Sequence, residues 1–149
     1  MTKSIPPKSL VLYADDDADD HQLVQDAFEE FEPVIDLVPF SNGAELLAYL
    51  ENLQPFQPQP CLIILDVNMP VLDGKQTLRR IRQLQQFQNT RVVLFTTSTM
   101  PAEMAFAAAH DAGFVTKPLH FQHMDLLVDQ FIEHCSPQMR DRVRRHRGQ

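Results

Sequence analysis

Charged and polar side chains follow four of the short apolar runs in this sequence, at the point where each run ends. They comprise acids, an asparagine, two threonines and a lysine: Asp15, Asp16, Asp17, Asp66, Asn68, Thr96, Thr97 and Lys117. Neighbouring carboxylates repel one another unless they are protonated or neutralised. A hard divalent cation such as Mg²⁺ would neutralise them with oxygen ligands. These residue types therefore favour a metal site.

Phosphoryl chemistry is compatible with the same set. A carboxylate beside a metal can attack a phosphoryl group and form an aspartyl phosphate, whose oxygens a lysine and a hydroxyl would help to neutralise. Taken singly, each residue has an ordinary interpretation. An acidic run can be a helix start, a strand-ending aspartate can be a turn residue, Thr96 can be a strand residue and Lys117 a surface charge. Their occurrence at four strand ends of one chain favours a shared site.

The rest of the sequence predicts the elements that position these residues. Apolar runs predict strands over residues 10–14, 34–40, 61–66, 91–97 and 113–118, and amphipathic stretches predict helices over 19–32, 41–53, 74–87, 101–112 and 121–135. This alternation predicts an α/β fold with a five-stranded parallel sheet, doubly wound as (βα)5 with helices on both faces. In such a sheet, ligands bind outside the carboxyl ends of the strands.

Composition excludes several classes of protein. The chain has 149 residues, of which 44% are hydrophobic, and a net charge of −7, so one folded domain is predicted. No apolar run approaches the ~20 residues of a membrane span, and no apolar signal region begins the chain. Cys61 and Cys135 lack metal-ligand spacing, which favours reduced thiols in the cytoplasm. The acidic balance argues against direct nucleic-acid binding.

The predicted domain covers residues 9–135, between an N-terminal extension at 1–8 and a basic C-terminal tail at 136–149. Pro137 predicts a break in the chain at Ser136. Residues 138–147 carry five arginines. They would form either a frayed, solubilising end or a contact with an acidic face, on a partner or on a second copy of the chain.

Four motifs relate this chain to a known family: YADDDADD, LIILDVNMPVLDG, VVLFTTS and FVTKP. Over residues 9–135 the chain resembles the CheY-like receiver domains of bacterial two-component response regulators. The resemblance implies a flavodoxin-like strand order, 2-1-3-4-5. It also implies that Asp73 and Gly74 form the turn into the third helix, and that Asp17 is an accessory acid or a helix cap.

The resemblance further implies a role for each site residue. Asp66 is the phosphoacceptor, and Asp15, Asp16, Asp66 and the backbone carbonyl of Asn68 hold Mg²⁺. In that arrangement Asp16 binds the metal directly and Asp15 binds it through water. No other cofactor is implied.

Three more residues take roles from the resemblance. The Thr96 hydroxyl and the Lys117 ammonium are implied to contact the phosphoryl group. Thr96 and Phe114 form the implied switch pair, although Phe114 lacks the hydroxyl of the tyrosine often found there. The bond between Lys117 and Pro118 is expected to be cis.

The implied function is that of a stand-alone response regulator, a signalling protein that catalyses only its own Mg²⁺-dependent phosphorylation and dephosphorylation. It would take a phosphoryl group from a sensor histidine kinase or a histidine phosphotransfer protein. A two-state change on the face of helix four, strand five and helix five would then signal to a downstream protein. The alternative is an intermediate phosphate carrier in a phosphorelay, and the chain could be a monomer or a homodimer.

Three other classes fit the residues less well. A phosphatase of the haloacid dehalogenase type needs a second aspartate two residues after the nucleophile, where this chain has Asn68. A non-phosphorylated scaffold does not need the full set of site residues. A flavin-binding protein needs a phosphate loop after the first strand, where the acidic run would instead repel phosphate.

Overall fold

A computed structural model describes residues 8–118 and 124–148. Its single sheet has five strands, all parallel, in the order β2-β1-β3-β4-β5. The strands are β1 (Ser9–Ala14), β2 (Ile35–Phe40), β3 (Pro60–Asp66), β4 (Val92–Thr96) and β5 (Gly113–Thr116). The α/β class and the strand order expected from the sequence are both confirmed.

Six α-helices accompany the sheet in the described residues. They are α1 (Ala18–Phe28), α2 (Gly43–Asn52), α3 (Gly74–Gln83), α4 (Pro101–Ala109), α5 (Met124–Glu133) and α6 (Pro137–Arg147). The predicted third helix ends earlier than expected, because Leu84 is extended and a short 3₁₀ turn follows it. The predicted start of the fifth helix at Phe121 lies outside the described residues.

Two hydrophobic cores lie on the two faces of the sheet. Because successive strand residues point to opposite faces, Val11 and Tyr13 join one core while Leu12 and Ala14 join the other. We call them the α1–α5 core, which includes residues of α1, α5 and α6, and the α2–α4 core, which includes residues of α2, α3 and α4. Burial on both faces explains the continuous apolar runs of the central strands.

Side-chain caps define the starts of the three helices that follow β1, β2 and β3. Asp17 caps α1 by accepting from the N–H groups of Asp19 and Asp20, and Asn42 caps α2. Asp73 and Gln76 form a reciprocal capping box at the start of α3. A helix cap is one of the two roles that the resemblance implied for Asp17.

The basic segment expected as a tail contains a helix. Ser136 caps α6 and Pro137 occupies its first turn, as the predicted break requires. Met139 and Val143, one turn apart on α6, are both buried in the α1–α5 core. The Ser136 N–H donates to the Cys61 carbonyl oxygen at the start of β3. The start of α6 therefore lies at the amino-terminal ends of the strands, whereas the site residues lie at the carboxyl ends. The prediction of a frayed end is therefore wrong for residues 137–147.

Within the described part of the chain, none of the helices is long and apolar enough to cross a membrane.

Candidate functional site

Three carboxylates meet at the carboxyl ends of β1 and β3. One oxygen from each of Asp15, Asp16 and Asp66 lies within 4.8 Å of the others. Asp15 is fully buried and Asp66 is 5% exposed, while Asp16 is exposed. The central strands β1 and β3 are neighbours in the sheet, which explains why residues 50 positions apart in the sequence meet. An all-oxygen, partly open donor set of this kind fits a hard divalent cation.

Lys117 reaches the same cluster from the end of β5. Its Nζ lies 2.7 Å from Asp20, 3.0 Å from Asp66 and 3.1 Å from Asp15. Burial alone would lower the pKa of Lys117, but the hydrogen bond to Asp20 and the charges of Asp15 and Asp66 raise it overall. Lys117 therefore stays protonated as a buried cation among carboxylates.

Asp15 is held in place by three donors. Its carboxylate accepts hydrogen bonds from the Tyr13 hydroxyl at 2.5 Å, from Lys117 Nζ at 3.1 Å and from the Asp17 backbone N–H at 3.0 Å. Burial and the neighbouring Asp15 raise the pKa of Tyr13, so the hydroxyl remains a donor. His21 Nε2 donates to the Asp15 backbone carbonyl at 2.6 Å, and its ring lies against that of Tyr13. These contacts orient Asp15 before any ligand binds.

The surroundings of Asp66 raise the pKa of its carboxyl group. Burial, followed by the charge of Asp15, raises its pKa from 3.8 to about 6, although the charge of Lys117 acts in the opposite direction. The ionised Asp66 carboxylate is therefore costly in this site. A bound cation would lower that cost by opposing the repulsion from Asp15.

The loop after β3 packs closely against Asp66. The Gly74 N–H donates to the Val67 carbonyl oxygen at 2.9 Å. A Cβ atom on Gly74 would lie only 2.3 Å from the Asp66 backbone oxygen, so a larger residue there would displace the loop. Asn68 is exposed within this loop, two residues after Asp66. Its role as a carbonyl ligand stays a prediction.

Thr96 and Phe114 lie on neighbouring strands. Thr96 is 1% exposed, and its Oγ accepts from the Ser98 N–H at 3.1 Å. Its register partner on β5 is Thr116, so Phe114 sits two residues earlier on that strand. Phe114 is half-buried against the α2–α4 core, the face to which strand alternation also assigns Thr96. The two side chains therefore share one face, as a switch pair requires.

One expectation about the backbone is wrong. The described residues include Lys117 and Pro118 and contain no cis peptide bond. The bond between them is thus trans, which is the isomer that X–Pro bonds favour intrinsically by about 0.5–1 kcal/mol.

The structure adds three residues that sequence reasoning did not assign to the site: Tyr13, Asp20 and His21. Tyr13 carried a signal, because it is a hydroxyl residue in an otherwise apolar strand, two positions before Asp15. Asp20 is one of five aspartates in residues 15–20. The local sequence does not distinguish an aspartate that pairs with Lys117 from one that faces solvent. His21 acts only through its contact with the Asp15 backbone.

Comparison with known proteins gives a consistent result. The family model described as response regulator receiver domain matches residues 11–129. Response regulator Rcp1 of Synechocystis sp. is 34% identical over 98 residues, which cover 64% of this chain and 66% of Rcp1. A protein-glutamate methylesterase/protein-glutamine glutaminase of Trichodesmium erythraeum is 28% identical over 138 residues, 89% of this chain but only 37% of that protein. The chain thus spans only part of these relatives.

A solved structure supports both the fold and the metal site. The Mn²⁺-bound form of response regulator Rcp1 superposes with a TM-score of 0.73 at 28% identity, covering 85% of this chain and 92% of that one. The acidic cluster of Asp15, Asp16 and Asp66 lies where receiver domains bind a divalent metal.

Proposed function

The chain belongs to the response regulator receiver domain family, and from this premise we propose that Asp66 accepts a phosphoryl group and that its phosphorylation controls a signalling contact. Receiver domains take phosphoryl groups from histidine kinases and act on downstream targets. The observation that supports Asp66 best is its position in the cluster. Lys117 Nζ lies 3.0 Å from one of its oxygens, and Asp15 and Asp16 lie beside it.

The proposed reaction is a phosphoryl transfer to a carboxylate. An Asp66 oxygen attacks the phosphorus of a phosphohistidine on a sensor histidine kinase or a histidine phosphotransfer protein. The P–N bond breaks and its electron pair leaves with the imidazole. Asp15, Asp16, Asp66 and the Asn68 backbone carbonyl would hold Mg²⁺, which would supply positive charge to the transferred oxygens.

The chain's own donors complete the site. Lys117 Nζ provides a fixed, buried positive charge that needs little rearrangement to reach a phosphoryl group on Asp66. The Thr96 hydroxyl, at the end of β4, would donate to another phosphoryl oxygen. Drawing in Thr96 opens space on its face of the sheet, into which Phe114 packs. We assign to this step the change on the surface of α4, β5 and α5 that a downstream protein would recognise.

The physiological setting follows from the same premise. The protein acts in the cytoplasm, which is consistent with two free cysteines, Cys61 half-buried and Cys135 buried. Its chemistry is confined to its own phosphorylation and dephosphorylation, and its output is a protein contact. Transfer of the phosphoryl group onward to a histidine is the alternative output.

Intact mass after incubation with acetyl phosphate and Mg²⁺ tests the proposal. The protein should gain one phosphoryl group, about 80 Da, and Asp66→Asn should gain none. Asp36→Asn is the matched control, because Asp36 is an exposed aspartate on β2, away from the cluster. Undiminished labelling of Asp66→Asn, or no labelling of the unchanged protein, contradicts the assignment.

A further inference from the structure

Asp20 makes the shortest of the three carboxylate contacts to Lys117. Its Oδ2 lies 2.7 Å from Lys117 Nζ, compared with 3.0 Å for Asp66 and 3.1 Å for Asp15. The mechanism above uses Lys117 but gives Asp20 no role.

The start of α1 holds Asp20 in position. Its backbone N–H donates to the Asp17 side chain at 3.3 Å, which fixes the first turn of the helix. Its side chain is 26% exposed, whereas that of Lys117 is 9% exposed. Asp20 is also separate from the group of Asp15, Asp16 and Asp66 that could hold a metal. Its contact is therefore an ion pair at the open edge of the site.

Asp20 and a phosphoryl group on Asp66 would share one ammonium. Because Asp20 and Asp66 both bind the same Nζ, their oxygens lie within about 6 Å of each other. A phosphoryl group carries more negative charge than the carboxylate that it modifies. Asp20 repels that charge, and it also neutralises part of the lysine charge that the phosphoryl oxygens need.

We propose that Asp20 acts through Lys117: it neutralises part of the ammonium charge that it shares with Asp66 and thereby weakens the hold of the site on a phosphoryl group at Asp66. The inference rests on the proposed function of Asp66. Removing the Asp20 charge leaves Lys117 tethered to Asp15 by the 3.1 Å contact, so Lys117 keeps its place while the electrostatic opposition falls. The phosphorylated state gains stability as a result.

Beryllofluoride, an anionic phosphoryl mimic, provides an equilibrium test in saturating Mg²⁺. Its affinity, measured by titration, should rise about tenfold in Asp20→Asn, the scale expected for one unit charge about 6 Å away at a partly exposed site. Asp20→Glu, which restores the charge, should return the affinity toward that of the unchanged protein. Thermal unfolding of each variant shows that it is folded.

Asp19→Asn is the matched control. Asp19 lies in the same first turn of α1, carries the same charge as Asp20 and likewise donates its backbone N–H to the Asp17 side chain. It differs from Asp20 in being exposed. The affinity of the Asp19→Asn protein for beryllofluoride should differ from that of the unchanged protein by less than about twofold, because the Asp19 carboxylate does not contact Lys117. Equal effects of Asp19→Asn and Asp20→Asn, or an unchanged or weaker affinity in Asp20→Asn, overturn the inference. Failure of the unchanged protein to bind beryllofluoride instead contradicts the proposed function.

Discussion

Replacing Asp66 with asparagine should stabilise the metal-free protein at neutral pH. The pKa of Asp66 is raised from 3.8 to about 6, first by burial and then by the charge of Asp15. A carboxyl whose pKa is higher in the native state than in the unfolded chain loses a proton less readily when folded. Its ionisation therefore destabilises the fold, progressively as the pH rises from about 4 to about 6. Asparagine has a similar shape and no charge to desolvate.

The size of the effect follows from the two pKa values. The difference between 3.8 and about 6 corresponds to about 3 kcal/mol once the carboxyl is ionised in both states. This value already includes the attraction of Lys117, whose Nζ can still donate to the amide oxygen of asparagine. At about pH 7.5 we expect Asp66→Asn to raise the free energy of unfolding by about 2–3 kcal/mol, and at about pH 4.5 by about 1 kcal/mol.

Urea denaturation in EDTA at both pH values measures the two differences. Asp36→Asn, the same change at an exposed position on β2, should leave the free energy of unfolding unchanged within error. Saturating Mg²⁺ should then remove much of the advantage of Asp66→Asn, because the metal stabilises only the protein that keeps all three carboxylates. Equal stability of Asp66→Asn and the unchanged protein at pH 7.5, or a difference that does not shrink at pH 4.5, refutes the reasoning.

Three further predictions concern the metal site, the last helix and the switch. Mg²⁺ at a hundred times its Kd should stabilise the protein by about 2.7 kcal/mol, and Asp16→Ala should remove most of this effect; an unchanged titration contradicts the assignment of Asp16. Met139→Ala should lower the free energy of unfolding by about 3 kcal/mol, because Met139 is fully buried. The control is Met104→Ala on α4, where Met104 is 49% exposed; it should change the free energy of unfolding by less than about 0.5 kcal/mol. Similar losses of stability in the two variants contradict the packing of α6. Crystals with beryllofluoride should show Phe114 rotated inward and Thr96 drawn toward Asp66, whereas identical Phe114 rotamers with and without the mimic count against the switch.

Much of the fold could be predicted because its signals are local. Continuous apolar runs indicate strands covered on both faces, and the starts of α1, α2, α3, α4 and α6 each have a capping side chain or a proline. The positions of Asp15, Asp66, Thr96 and Lys117 follow from the same pattern, since the carboxyl ends of parallel strands meet at one edge of the sheet. The strand order required the family resemblance, because many orders are compatible with five alternating strands and helices.

The last segment shows where local signals fail. Five arginines dominate residues 138–147 and suggest a solvated end. Two apolar residues one turn apart, Met139 and Val143, nevertheless bury α6 against the α1–α5 core. Two buried apolar residues stabilise a helix only if another part of the protein offers a matching apolar surface. The local sequence of residues 138–147 does not show that the α1–α5 core offers one.

The sequence by itself determined the elements, the caps and the set of groups at the carboxyl edge of the sheet. Only the tertiary structure decided how those groups pair: that Lys117 binds Asp20 more closely than Asp66, and that Tyr13 and His21 orient Asp15. The physical reason is that pairing depends on how α1 is rotated and how closely it approaches the ends of β1 and β5. That arrangement comes from packing across the α1–α5 core, which brings together residues about a hundred positions apart.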